Sequence, residues 1–457
     1  MLNPARPRTA MQQRTPRGAS VLIDMLETQF AVVFTSLIFA WTIYQAHATI
    51  LGPVWGYLGF SFIRPTLAGY CLMVGLVTVG SAAMPTKIDR PSSMIVMFMH
   101  VTLFVPCVTI SLALRADSLE SFGPMLVVYT LVHALAGLVS RSGPAPPKEE
   151  RFVPAPEATV VLIGVWAAAT VLIIAVFGEI MRFASLTEVY DQRFAIDRSV
   201  NIVGYVRSYY INLVIPALIA IGLLRRNVLV LGIGLVGCVV SYMVDAQKTA
   251  LALPVLMILV YLVFRYAERV AQLFVVPILL LSFLTLLAVV LRDTQIGFLL
   301  HALLVVRGIA IPALTLVQYQ ELFATYGHTW WSNITGLSLI IPAPAAFAND
   351  PSWPAIGQIV GDHYFGAGTN LNANANPYAG EGLAAGGLIG LAVIGIVMAV
   401  FLRIFDLCVR GWDRTFVLLV SVPIALALGN AHLSTVLVSF GLGAWLLVFN
   451  FYKPKGS

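Results

Sequence analysis

Apolar residues run through this chain in long, nearly unbroken blocks, and polar residues gather at the joints between them. Neither the two-residue alternation of a half-buried strand nor the narrow stripe of a soluble amphipathic helix recurs along it. A block of roughly 20 mainly apolar residues crosses a hydrocarbon core about 30 Å thick, and within that core the backbone must satisfy its own hydrogen bonds, so each block predicts a membrane helix. Twelve are predicted: 23–46, 66–84, 93–114, 122–140, 158–177, 200–224, 227–244, 249–263, 272–290, 387–404, 415–433 and 434–451. The pattern divides the chain into a tail (1–22), a bundle of nine spans (23–291), a loop of some ninety residues (292–386) and a final bundle with the C-terminus (387–457). The loop contains an apolar run, 296–316, which His301, Arg307 and Pro312 interrupt; it reads as a half-buried helix lying against the bundle.

Composition agrees: 59% of residues are hydrophobic and 11% charged, with a mean hydropathy of +0.89, which describes an all-α, polytopic membrane protein. Charge then gives orientation. With the N-terminus in the cytoplasm, the inner joints collect Arg6, Arg8, Arg14, Arg17, Lys87, Arg90, Arg141, Lys148, Arg151, Arg225, Arg226, Arg265, Arg269, Arg403, Arg410, Arg414, Lys453 and Lys455, eighteen of the 27 Lys and Arg. The positive-inside rule therefore predicts both termini in the cytoplasm and the long loop outside. Because the net charge of +6 is mostly this signal, it gives no reason to expect nucleic acid as a partner. The tail lacks a small-residue cleavage site, so it reads as cytoplasmic and not as a signal peptide. Cys71, Cys107, Cys238 and Cys408 fall in or beside spans without CxxC spacing and read as buried hydrophobes.

What remains on the outer side is chemically unusual. Arg182, Arg193 and Arg198 lie after the fifth span, and Arg207 lies inside the sixth; Lys248 stands at a tight outer turn, and Arg292 and Arg307 follow the ninth span. An intramembrane cation is costly and needs a partner or a wet cavity. Each has a plainer reading too: Arg207 snorkelling or pairing with Asp191 or Asp197, Lys248 pairing with Asp245, Arg307 with Asp293 or Glu321. Several guanidinium groups and an ammonium at a membrane boundary suit a lipid-anchored dianion, since guanidinium pairs bidentately with phosphate oxygens; a polyprenyl pyrophosphate has that chemistry. The loop's acidic residues, Asp293, Glu321, Asp350, Asp362 and Glu381, are scattered, so no metal site is expected.

The runs Asp245–Pro254, Arg307–Pro312 with Tyr319 and Phe323, and Asn376–Glu381 leading into Gly386, Gly387 and Gly390 resemble the O-antigen polymerases and related oligosaccharide repeat-unit polymerases. The resemblance implies a GT-C-like, large-loop glycosyltransferase of the bacterial inner membrane that uses no cofactor and no metal. It would join undecaprenyl-pyrophosphate-linked oligosaccharides on the periplasmic face, alongside a flippase and a chain-length regulator of the same pathway. Carried over by position, Arg307, Lys248 and Arg292 would neutralise the pyrophosphate leaving group. Arg193, Arg198, Arg207, Tyr319, Asn376, Tyr378 and Glu381 would bind substrate, and the general base stays open among Glu321, Asp362, His363 and Glu381.

Related O-antigen ligases have a histidine ahead of the glycine-rich helix start, where this chain has Asn376, which favours polymerase over ligase. A transferase with a carboxylate pair in the first outer loop is disfavoured because 47–64 contains no Asp or Glu. A secondary transporter would show paired broken helices in two related halves, and no such symmetry is visible.

Overall fold

A computed structural model describes residues 23–142, 152–183, 202–367 and 371–452. Its architecture is carried by helices α1 (Gln29–Leu58), α2 (Leu67–Ala82), α3 (Pro91–Leu114), α4 (Leu119–Ser142), α5 (Pro156–Phe177), α6 (Ile202–Arg225), α7 (Val228–Asp245), α8 (Lys248–Tyr266) and α9 (Val275–Val290). These are followed by α10 (Gln295–Tyr326), α11 (Ile356–Phe365), α12 (Tyr378–Cys408), α13 (Arg414–Leu428), α14 (Leu433–Val438) and α15 (Leu442–Phe451). No strand occurs among the described residues beyond two isolated bridges, Lys87 with Leu273 and Phe152 with Trp412.

Eight of the helices, α1, α3, α4, α5, α6, α8, α10 and α12, are long and apolar enough to cross a membrane. Large apolar side chains cover the outside of the bundle, Leu67 at 80% exposure and Val171 at 68% among them. In water such a surface would aggregate; in lipid it is ordinary, and the chain is a multi-pass membrane protein. Lipid gives no hydrophobic drive for helices to associate, so close backbone approach takes over. On α12, a Cβ at Gly395 would stand 2.3 Å from Val132 of α4.

Four long helices contain a π segment: His47–Leu51 in α1, His100–Phe104 in α3, Tyr210–Val214 in α6 and His301–Ala310 in α10. Two residues beyond the end of each comes a proline, Pro53, Pro106, Pro216 and Pro312. Proline has no N–H to donate and clashes with the carbonyl four residues back. The widened π turn shifts that carbonyl, so the helix continues where a proline inside a regular α-turn would kink it. This corrects the 292–386 reading as loop: α10 is continuous through His301, Arg307 and Pro312, and α11 and the start of α12 add further helix. Two predicted spans also end differently. The 415–433 block stops at Leu428, and the 434–451 block is divided into α14 and α15 at Ser439–Gly441, with Gly441 at φ +81°.

Contacts sort the connections into two ends. At one end Lys87 pairs with Glu27 at 2.7 Å, the Ile88 N–H donates to the Gln272 carbonyl, Arg141 donates to the Ala82 carbonyl and Arg403 to that of Ser142. Arg225 donates to the Pro154 carbonyl, and Arg414 pairs with Glu268. At the other end the Ile63 N–H donates to the Ala113 carbonyl, Trp55 Nε1 donates to His301 Nδ1 and Arg115 pairs with Glu321. His301 and Glu321 are twenty residues apart on α10, about 30 Å of helix. Their partners both belong to the second end, so α10 runs across that end of the bundle despite being long enough to traverse it.

Candidate functional site at the end away from the basic loops

The site is built on a reversal of α12. Gly386 (φ −163°, ψ 30°) and Gly387 (φ +57°, ψ −135°) leave helical conformation, and a Cβ at Gly390 would stand only 2.1 Å from the Gly382 carbonyl oxygen. Eight residues of straight helix would separate those two positions by about 12 Å. Residues 378–385 therefore fold back onto the helix that follows, and the positive φ of Gly387 is what an L side chain would resist. The carbonyls of Ala384 and Ala385, orphaned by the break, accept the Thr329 and Trp330 N–H groups, each at 2.8 Å. Those bonds help hold Trp330 and Trp331 at φ +51° and +60°, a left-handed conformation that costs an L residue roughly 1–2 kcal/mol. Trp330 remains more than half exposed at the rim.

Behind that rim α10, 371–385 and α14 meet. Tyr319 Oη lies 3.1 Å from His432 Nε2. Asn376 Nδ2 donates to the Ala373 carbonyl at 2.9 Å, and Thr315 Oγ1 donates to the Ala375 carbonyl at 2.8 Å. Glu381, almost fully buried, accepts the Ser434 N–H on Oε2 at 3.1 Å; its carboxylate faces the positive end of α14, an arrangement that favours the anion. Glu381 Oε1 and the Tyr378 hydroxyl are buried without a hydrogen-bond partner, and the Tyr378 ring leans on Tyr129. His432 is partly buried, and the dense surrounding protein pushes its pKa down to about 4. A neutral imidazole can either accept or donate a hydrogen bond.

Two residues beyond Tyr319 on α10, Glu321 Oε1 accepts from Arg115 Nε at 2.5 Å and Glu321 Oε2 from the Tyr364 hydroxyl at 2.7 Å. The guanidinium of Arg115 is held in its charged form by that carboxylate. Asp362 accepts from Ser352 Oγ and Gln358 Nε2, both at 2.8 Å. His363 is exposed, edge-on to the Tyr326 and Tyr364 rings. Three of the four candidate bases, Glu321, Asp362 and Glu381, are thus already engaged in holding the fold.

The predicted cations are spread more widely. Arg307 is exposed within the π segment of α10, and Arg292 is half exposed, 3.5 Å from Asp293. Lys248 opens α8 as its first residue. Arg207 sits near the start of α6 with its guanidinium 5.9 Å from the Phe177 ring; two residues on, the Tyr209 hydroxyl donates to the Val438 carbonyl at the end of α14. Segment 432–441 thereby joins the Arg207 region to the Tyr319–Glu381 region. Arg193 and Arg198 lie outside the described residues.

The site therefore unites Tyr319, Asn376 and Glu381, with Glu321 nearby on α10 and Trp330 exposed beside it, and adds two residues that the sequence reading passed over: Arg115 and His432. A signal for His432 existed, since it is the sole histidine after residue 363 and stands at a joint between apolar blocks. Nothing local marks Arg115, whose partner is 206 positions away. Among the described residues no three His, Cys, Asp or Glu side chains gather as a metal site would require. Set against protein-family models, curated protein sequences and solved structures, the chain matches none.

Proposed function

We propose that this protein is an inner-membrane glycosyltransferase that lengthens undecaprenyl-pyrophosphate-linked glycan on the periplasmic face. The observation that carries the reading is the contrast of ends: one gathers Lys87, Arg141, Arg225, Arg403 and Arg414 in its connections, and the other holds the polar cluster of Tyr319, Asn376, Glu381 and His432. The positive-inside rule makes the first end cytoplasmic. With α10 lying across the other end, twelve helices cross, α14 being a short re-entrant piece, and both termini are cytoplasmic.

In this reading an acceptor sugar hydroxyl attacks the anomeric carbon of the donor, the carbon–oxygen bond to pyrophosphate breaks, and the hydroxyl proton leaves with the departing phosphate or passes to His432. Arg307, Lys248 and Arg292 neutralise the leaving group, and Arg207 lies along its path. An activated leaving group asks little of a base, which suits a weakly basic His432 acting mainly to orient the hydroxyl while Tyr319 holds its ring. Trp330 offers a face for sugar stacking. A flippase and a chain-length regulator are the expected partners.

One observation favours a second reading, an O-antigen ligase with lipid A core as acceptor: a Cβ at Gly387 would stand 3.1 Å from the His328 ring, so a histidine does stand at the glycine-rich helix start. A transporter gains less support. The discontinuous elements, α12 and α14–α15, both fall in the last third of the chain, whereas an inverted-repeat transporter carries one in each half. The test is purified protein in liposomes with lipid-linked repeat units, in excess EDTA, with and without lipid A core. Lengthening without core supports the polymerase, and transfer only with core supports the ligase. Activity that vanishes in EDTA and returns with Mg²⁺ overturns the metal-independent mechanism, and wild-type products from both Arg307→Ala and Lys248→Ala overturn their assignment to the pyrophosphate.

A further inference from the structure

A groove with a volume of about 370 Å³ opens sideways between α1 and α2, on the order of a dozen water volumes. Its walls are Leu37, Ala40, Trp41, Met73 and Val74, and Trp41 and Val74 are each about half exposed to the surroundings of the bundle. Polarity rises along it in one direction. Gln29 near the start of α1 donates to the Ser81 carbonyl at the basic end, and fifteen residues on, about 22 Å along the helix, Tyr44 is hydrogen-bonded hydroxyl to hydroxyl with Tyr70. Just beyond stands Arg64. It is exposed, acts electrostatically on Tyr44 and is positioned by Phe62, whose ring packs 5.5 Å from that of Tyr44. Among the described residues no salt bridge involves it.

We propose that this groove is a binding site for an anionic phospholipid of the leaflet at the end away from the basic loops, with one acyl chain between α1 and α2 and the phosphate against Arg64. Two hydroxyls bonded to each other carry two protons and spend one between them, so the Tyr44–Tyr70 pair retains one O–H to donate to a phosphate oxygen. An exposed cation above an apolar slot, with that donor between them, matches a headgroup of one negative charge over a hydrocarbon chain. A zwitterionic lipid matches it less well because its own ammonium competes for the phosphate. The site does not depend on the glycan chemistry proposed above.

The test titrates purified protein in mild detergent with phosphatidylglycerol or phosphatidylcholine of identical chains, reading bound lipid by native mass spectrometry and protection by thermal unfolding. Expected are a saturable gain with phosphatidylglycerol, at least tenfold weaker binding in Arg64→Ala with partial recovery in Arg64→Lys, and loss of tight binding in Val74→Trp, which fills the slot. Should Arg64→Ala not yield monodisperse protein, the Tyr44→Phe/Tyr70→Phe pair, which removes the donor, carries the same expectation. Equal binding of the two lipids, or undiminished phosphatidylglycerol binding in these variants, overturns the proposal. So does displacement by undecaprenyl phosphate at concentrations well below those at which phosphatidylglycerol binds, which would make the groove a polyprenyl site.

Discussion

Two histidines are hydrogen-bonded inside this bundle in opposite ways. His100, midway along α3, bonds Ser36 Oγ through Nε2 at 2.9 Å and His133 Nε2 through Nδ1 at 3.1 Å. Phe104 stacks on His133 with centroids 4.1 Å apart, and all three polar residues are fully buried. His432 bonds one side-chain partner, Tyr319, and is a partly buried residue at the end of the bundle. The first cluster ties three helices together and shuts out solvent and substrate. The second has spare hydrogen-bonding capacity where a ligand could arrive. Polar groups in a membrane protein are expensive in both places, so the difference in access separates a fastening from a site.

The sharpest way to break this contrast is to exchange the consequences. His432→Gln is expected to lower turnover about a hundredfold, within the range found for positioned proton-handling groups, with unchanged membrane accumulation and detergent melting. His133→Leu is expected to leave turnover of the folded protein within about twofold. A sealed-cluster variant that lost turnover as severely as His432→Gln would remove the distinction.

At the rim of the open cluster Trp330→Ala is expected to raise KM about tenfold with little change in kcat, as loss of a stacking face used equally in ground and transition states would. Steady-state kinetics on lipid-linked acceptor settles it, and an effect confined to kcat would speak against stacking. The sealed cluster should show itself in stability: His133→Leu strips His100 Nδ1 of its partner in the dry interior, at a cost of about 1–3 kcal/mol. Unfolding in mixed micelles measures this, and no destabilisation would mean the histidine pair is not a fastening.

The smallest expected effect is on pH. His432 has a folded-state pKa near 4 against about 6.5 in an unfolded chain. Stability from keeping it neutral is fully present above about pH 6.5 and drains away as pH falls towards 4. Melting curves between pH 7.5 and 4.5 should show a slope that His432→Gln flattens; identical slopes would mean the ring is wetter than its packing implies.

Much of the helical layout was legible because lipid makes length and apolarity the dominant signal. The 93–114 and 158–177 blocks correspond to α3 and α5 within two residues. The interruptions were harder to read, because the same residue type has opposite effects. Pro312 looked like a stop but follows a π turn that absorbs it, while Gly386–Gly387 and Gly441 sit in runs where glycine could equally be helix-packing surface and are instead where the chain turns. In the site, Tyr319, Asn376 and Glu381 stood out through local sequence. Arg115–Glu321 and Tyr319–His432 could not, since 206 and 113 residues separate the partners and only the folded bundle makes them neighbours.

The bond from the Ser434 N–H to Glu381 also sets an order of events during synthesis. Its two ends are 53 residues apart, with α12 beyond the reversal and all of α13 between them. At roughly 5–20 residues per second, the ribosome completes Glu381 several seconds before the amide that will face it exists. The fold-back itself needs only residues up to Gly390, so what waits for Ser434 is the bond that caps the Glu381 carboxylate. A chain truncated before α14 would have its earlier helices and an unanchored carboxylate in place of a site.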